Sequence, residues 1–225
     1  MVSSRWLAAT MLIAAGCPTP PASTDVAPTI ATAAAEAGPL EVYEELEALI
    51  AEGNDSEDDR QYALDRVQKI EDDETAEYAF VRAALLGRVA ELRGVKAGKL
   101  VTEVERYARM SIERDPEYRD RAATRMLGSL YVMAPPRLVE HGDSEEGLEL
   151  LEVLAEEKPQ LVVNHLRLAE AFIHLGDPEP ALEHLCTAQQ GRDALRPDEA
   201  ALLDRLVADV GGAGVLGCAA GVADA

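Results

Sequence analysis

Positive charge is in short supply on this chain. Its 225 residues carry 21 Lys and Arg against 42 Asp and Glu, a formal net charge of −21. Phosphate binding needs basic patches, so a nucleic-acid partner is excluded. The same shortage rules out charge-driven adhesion to anionic lipid. Strand signals are scarce too: there is no Asn-Gly or Asp-Gly turn, and β-branched runs are few. The four histidines, His141, His165, His174 and His184, form no His-Glu-x-x-His or His-x-x-x-His pattern and have no cysteine at zinc-ligand spacing. A Gly-x-Ser-x-Gly elbow, a phosphate loop and a dinucleotide fingerprint are all lacking. The segment Asn54 to Asp59 is acidic, but without the central glycine and closing glutamate of a calcium loop it reads as a solvated helix start. The expectation is therefore no catalytic residue, no metal, no cofactor and no enzymatic activity.

The longest apolar run, Trp6 to Ala15, follows Arg5 and is too short to span a bilayer; it has the size of a signal-peptide core. It ends in Ile13-Ala14-Ala15-Gly16-Cys17, which resembles a bacterial lipobox, with Ala14 standing where leucine is commonest. The resemblance implies that residues 1–16 are a lipoprotein signal peptide, cleaved before Cys17. It also implies that Cys17 is acylated and anchors the protein to a membrane on its periplasmic side. Multiple acyl chains make such an anchor stable, whereas one binds only marginally. Pro18, where an aspartate would mark inner-membrane retention, favours the outer membrane. Residues 17–39, rich in Pro, Ala and Thr with only Asp25 and Glu36 charged, read as an extended tether. The other two cysteines, Cys186 and Cys218, form either a disulfide or two independent thiols, because sequence does not supply the distance between them.

From Leu40 to Val210 the apolar residues recur at helical spacing, enough for one all-α domain, residues 40–210. Leu40, Tyr43, Leu46 and Leu49 share one face; Phe80, Ala84, Gly87 and Ala90 mark another stripe. Gly176-Asp177-Pro178 combines a turn, an N-cap and a first-turn proline. Nine helices are expected, the last opening at Pro197. Residues 211–225, rich in Gly and Ala, read as a flexible tail.

Within this domain Gly142-Asp143-Ser144-Glu145-Glu146-Gly147-Leu148-Glu149-Leu150-Leu151 echoes Gly176-Asp177-Pro178-Glu179-Pro180-Ala181-Leu182-Glu183-His184-Leu185, 34 residues later. A period of that size marks a stacked helix–turn–helix unit that cannot bury its apolar face alone. Leu168, Ala169, Phe172, Gly176, Asp177, Ala181, Leu185 and Ala188 resemble the tetratricopeptide repeat pattern, with a preceding unit at Leu127, Gly128, Tyr131, Gly142, Gly147 and Leu151. The resemblance covers about Ala79 to Ala188 and is poor over Leu40 to Glu71. It implies a helical-hairpin repeat array of about four helix pairs plus a capping helix.

Between Tyr131 and Gly142 stands an insertion containing Pro135, Pro136 and Arg137. A Leu-Gly-x-x-Tyr helix followed by Pro-Pro and then Gly-Asp is similar to the T-component of TRAP-type transporter systems. That similarity implies a periplasmic scaffold whose partner is a solute-binding subunit. The concave wall of the array is expected to carry Arg88, Arg125, Ser129, Leu166, Glu170 and Ile173, with Pro135, Pro136 and Arg137 as a binding loop. Arg88 and Arg125 either grip a carboxylate as a guanidinium pair or make salt bridges with neighbouring acids. Leu166 and Ile173 would make part of the groove apolar. The alternative to a protein partner is a hydrophobic or acidic small molecule held between the helices.

Overall fold

A computed structural model of the protein describes residues 26–36 and 38–218. Among these residues there are eleven helices and no strand. They are α1 (Pro28–Glu36), α2 (Pro39–Glu52), α3 (Glu57–Val67), α4 (Ala76–Arg93), α5 (Gly98–Arg114), α6 (Tyr118–Met133), α7 (Ser144–Glu157), α8 (Val162–Leu175), α9 (Pro178–Gln190), α10 (Pro197–Asp209) and α11 (Ala213–Leu216). None of them is long and apolar enough to cross a membrane.

Helices pack in consecutive pairs, α2 with α3, α4 with α5, α6 with α7 and α8 with α9, and α10 closes the stack. This is an all-α helical-hairpin repeat array. The caps follow local chemistry. Ser56 accepts from the Asp59 amide at 3.1 Å while the Asp59 carboxylate accepts from the Ser56 amide at 2.9 Å, a reciprocal box at the start of α3. Asp143 accepts from the amides of Glu145 and Glu146 and so starts α7. At the α6–α7 crossing a side chain would be intolerable. A Cβ on Gly147 would lie 2.7 Å from the Gly128 carbonyl, and one on Gly128 2.9 Å from Leu151. The small residues of the repeat pattern are what lets the paired helices approach. The apolar interior forms two clusters: one joins α1 to α6 around Phe80, Leu85 and Tyr131, the other joins α6 to α11 around Leu151, Leu168 and Leu185.

Two boundaries differ from the sequence reading. The described part of the 17–39 segment is not an extended tether. Pro28–Glu36 is a helix whose Ile30 is wholly buried, tied down by the Ala27 amide donating to Asp59 at 2.6 Å and by Arg66 donating to the Ala34 carbonyl. Proline is tolerated in a first helical turn, alanine has the highest helix propensity, and Ile30 with Ala34 gives the short helix a buried face. Cys17 and residues 1–16 lie outside the described residues. Nor is the 211–225 segment wholly a loose tail. Ala213–Leu216 is helical, Leu216 is buried in the second cluster, and Cys218 is disulfide-bonded to Cys186 on α9, their Cα atoms 5.4 Å apart. Composition pointed to fraying there; a single buried leucine and a covalent link override it.

Candidate functional site

The inner faces of α2, α4, α6 and the start of α8 enclose a cleft of about 690 Å³. Its far side is formed by Ala194, Arg196 and Glu199, at the turn into α10. Arg196 reaches Glu47 on α2, 149 residues away in sequence, so the last part of the array folds back onto its first full helix pair. The cleft is thereby bounded by polar contacts on one side and stays open to solvent.

Three of the anticipated groove residues line it: Arg88, Arg125 and Ser129. They belong to faces read from helical spacing, Ala84–Arg88–Glu91 on α4 and Arg125–Ser129 on α6, four or three residues apart. The other three do not. Leu166 is fully buried in the second core cluster, and Ile173 packs half-buried against the same cluster. Glu170 lies beyond Arg167, the last α8 residue to border the cleft, and accepts from Arg167 at 2.8 Å. The helix enters the cleft only by its first turns, through Val162, Val163 and Arg167. Its apolar stripe turns instead toward α9 and α10. An apolar groove built from Leu166 and Ile173 is therefore corrected: those side chains hold the fold together.

The inserted loop is also elsewhere. Pro135, Pro136 and Arg137 are exposed, around a 3₁₀ turn at Pro136–Leu138, and none borders the cleft. The loop is pinned to α5 by Glu105, a carboxylate only 1% exposed. Glu105 accepts from the amides of Glu140 and His141 at 2.7 and 2.8 Å and from the Tyr131 hydroxyl at 2.9 Å. Burial opposes its charge, but these three donors outweigh it and hold the carboxyl below its usual range. Tyr131, similarly buried, has its hydroxyl pushed up to about 12.

Arginine is concentrated at the cleft. Five arginines border it, Arg88, Arg119, Arg125, Arg167 and Arg196, against four carboxylates, Glu47, Glu91, Asp120 and Glu199. Glu47, 8% exposed, organises one wall. Arg88 donates to both of its oxygens at 2.7 Å, and Arg196 donates to Oε2 as well. Burial works against ionising Glu47, but Arg88 and Arg196 hold its carboxyl below the usual range. Tyr43 beside it is pushed up to about 12, by burial first and then by the Glu47 charge. Arg88 also meets Glu91 at 3.1 Å, and Arg60 braces both by donating to the Arg88 carbonyl at 3.0 Å and to Glu91 at 2.8 Å.

The opposite wall is different. Arg125 donates through Nη1 to Asn164 Oδ1 at 2.9 Å and to the Asp120 carbonyl at 3.4 Å, and among the described residues no carboxylate pairs with it. Burial draws its guanidinium below the usual range; Glu199 and Asp120 pull the other way from a distance, and Arg167 adds like charge. Asn164 is itself fully buried and anchored by donating to the Leu154 carbonyl at 3.0 Å. Nearby, Arg119, Asp120 and Arg121 take positive φ of 47°, 54° and 59° in the first turn of α6. Left-handed backbone costs a non-glycine residue about 1–2 kcal/mol. The side chains of this turn are tied down by ion pairs, Arg119 with Glu44 at 2.9 Å, Asp120 with Lys158 at 3.2 Å, and Arg121 with Glu157.

Glu47, Arg119, Arg167, Arg196 and Glu199 escaped the sequence reading. Helical spacing marks an inner face but not how far along it the cleft extends. A contact across 149 residues leaves no local signal at all. Among the described residues no group of three or more His, Cys, Asp or Glu is placed to hold a metal. His165 and His184 face each other, Nδ1 to Nδ1 at 3.0 Å, with Phe172 stacked on His184, and they serve packing.

Fold and site together define a helical-hairpin repeat array with an arginine-bordered concave cleft. No family model matches the chain, and no curated protein is significantly similar to it.

Proposed function

We propose that this is a lipid-anchored, periplasmic helical-repeat binding protein, without enzymatic activity, whose ligand sits in the concave cleft. The observation that carries the reading is the fold-back of Arg196 onto Glu47, which bounds one side of a solvent-open cleft of about 690 Å³. Ligand pockets of roughly 300–1,000 Å³ suit small molecules, whereas a docking helix needs a groove that runs on past such a boundary. Of the two kinds of occupant, a small molecule is thus favoured within the cleft. The Cys186–Cys218 disulfide supports a place outside the cytoplasm, since such bonds persist in oxidising compartments. Anchoring rests on the run ending at Cys17.

Native mass spectrometry of the protein purified from its host tests the reading. A retained small mass, lost when Ser129→Trp fills the cleft, is expected. A cleft that yields no bound mass in either protein counts against it. Cys17→Ser should release the chain from membranes, and continued membrane fractionation would dispose of the anchor.

The second reading, a scaffold for the solute-binding subunit of a TRAP-type system, draws on one further feature. The insertion presents Pro135, Pro136 and Arg137 to solvent on a loop held rigid by Glu105. A polypeptide that co-purifies with the wild type, and fails to do so when Pro135, Pro136 and Arg137 are replaced by glycine, would support it.

A further inference from the structure

We propose that Arg125, with Arg167 beside it, seats the single carboxylate of an acid whose apolar body fills the rest of the cleft; the proposal rests on the cleft being the ligand site. Each other arginine bordering the cleft has a carboxylate partner: Arg88 and Arg196 share Glu47, Arg119 meets Glu44, and Arg167 meets Glu170. Arg125 alone has none among the described residues. Its bonds to the protein leave through Nη1 only. The Nε and Nη2 edge, which takes a carboxylate in a two-pronged bond, has no protein acceptor there.

A half-buried cation without a counterion carries part of the cost of a buried one, and surroundings normally supply a partner. Here Glu199 and Asp120 act on Arg125 only from a distance, without an ion pair among the described residues, and Arg167 opposes them with like charge. Asn164, buried and tied to the α7 backbone, holds the guanidinium in place without neutralising it. That is how a binding residue is kept oriented for an absent anion.

The one unpaired guanidinium sets the valence of that anion. The other four arginines at the cleft already meet carboxylates, so among the described residues Arg125 is the cation left to answer. A monocarboxylate matches it; a phosphate dianion would bring a second negative charge toward Glu47 and Glu199. The body of the ligand meets Phe80, Met126, Val162 and Val163, which border the same space. The geometry thus selects an amphipathic monocarboxylic acid, large enough to occupy a cleft of this size.

The test uses fluorescence titration of the full chain with pyrenebutyrate and with pyrenebutanol, two probes that differ only in the charged group. Wild type should bind the acid at least about tenfold more tightly, the range expected of one charge-assisted, two-pronged contact. Arg125→Gln should remove that margin and leave the alcohol unchanged, while Arg125→Lys, which keeps the charge and loses the fork, should fall between. Far-ultraviolet dichroism and the unfolding midpoint of each variant report whether the fold is intact. If Ser129→Trp abolishes both probes but Arg125→Gln leaves the acid unaffected, the cleft stands as a binding site and the Arg125 seat is wrong. If neither probe binds, or Ser129→Trp changes nothing, the cleft reading fails and the seat with it. Displacement of the acid by inorganic phosphate as readily as by benzoate would overturn the choice of a monoanion.

Discussion

On one wall of the cleft, Arg88 and Arg196 converge on Glu47, with Glu91, Asp198 and Glu199 close behind. On the other, Arg125 and Arg167 stand together, and Arg125 has only an amide and a carbonyl to bond. The first arrangement closes on itself: every charge has a partner, the partners come from α2, α4 and the start of α10 with Arg196 just before it, and the result joins the first full helix pair to the last part of the array. The second is incomplete. A guanidinium that satisfies the fold needs a buried acid, whereas one that serves a ligand has to be held in place while its charge stays available. The same residue type is thus structural on one side and available on the other, and the difference lies wholly in the surrounding acids.

The largest break in this contrast should come from Glu47→Ala. It removes the one carboxylate shared by two arginines and leaves both cations facing each other in a poorly hydrated place. Removing one partner of a buried ion pair costs about 3–5 kcal/mol. Urea unfolding should show a loss of that order, and hydrogen exchange in α10 should accelerate as its contact with α2 loosens. A loss under about 1 kcal/mol, of the size seen for exposed pairs, would mean that the closure is ornamental.

Acid should reach the same wall by another route. The carboxyls of Glu47 and Glu105 are held below their ordinary value of 4.5 in the fold. A group whose folded pKa is depressed contributes stability above its unfolded value, and that contribution is lost as pH falls through the folded one. Thermal midpoints should therefore stay level from neutral pH to about 5, then fall below about 4.5. Glu47→Gln should flatten part of that fall, and a profile unchanged by the substitution would remove Glu47 from the account.

On the second wall Asn164→Ala should have a middling effect. It takes from Arg125 its side-chain acceptor and from the Leu154 carbonyl its donor. Leaving buried polar groups unsatisfied costs about 1–3 kcal/mol. If Asn164 positions Arg125 for an anion, the variant should also bind pyrenebutyrate more weakly while its affinity for pyrenebutanol holds. Equal loss for both probes would reduce Asn164 to a packing role.

Much of the fold was legible before any coordinates, because its information is local. The echo at Gly142 and Gly176 reports one helix–turn–helix unit, and Gly128 and Gly147 report a close crossing, each within a few tens of residues. The site was legible in part. Helical spacing put Arg88, Arg125 and Ser129 on inner faces, but the same spacing offered Leu166, Glu170 and Ile173, since α8 slants out of the cleft after Arg167. Whether an arginine is paired could not be read at all. Glu47 lies 41 residues from Arg88 and 149 from Arg196, and on so acidic a chain every arginine has many possible partners along the sequence. The docking of Pro28–Glu36 and the Cys186–Cys218 link were hidden for a related reason: both depend on a distant surface that accepts a weakly patterned segment.

Arg125→Gln is the smallest expected change to stability and the sharpest test of the comparison. Loss of the hydrogen bond to Asn164 Oδ1 destabilises, by about 1.5–3 kcal/mol for a bond to a charged group. Two terms oppose it: a charge no longer has to be kept in a confined, partly dry place, and Arg167 no longer faces a like neighbour. Glutamine also retains an amide donor that can reach the same oxygen. The terms should cancel to within about 1 kcal/mol of wild type, of either sign. Were Arg125→Gln to cost as much as Glu47→Ala, Arg125 would be a structural ion like Arg88 with a partner not yet recognised, and the two walls would cease to differ. A variant as stable as the wild type shows that the bond to Asn164 and the cost of the charge balance, so the fold gains nothing net from the guanidinium, and a ligand that uses it would account for its place.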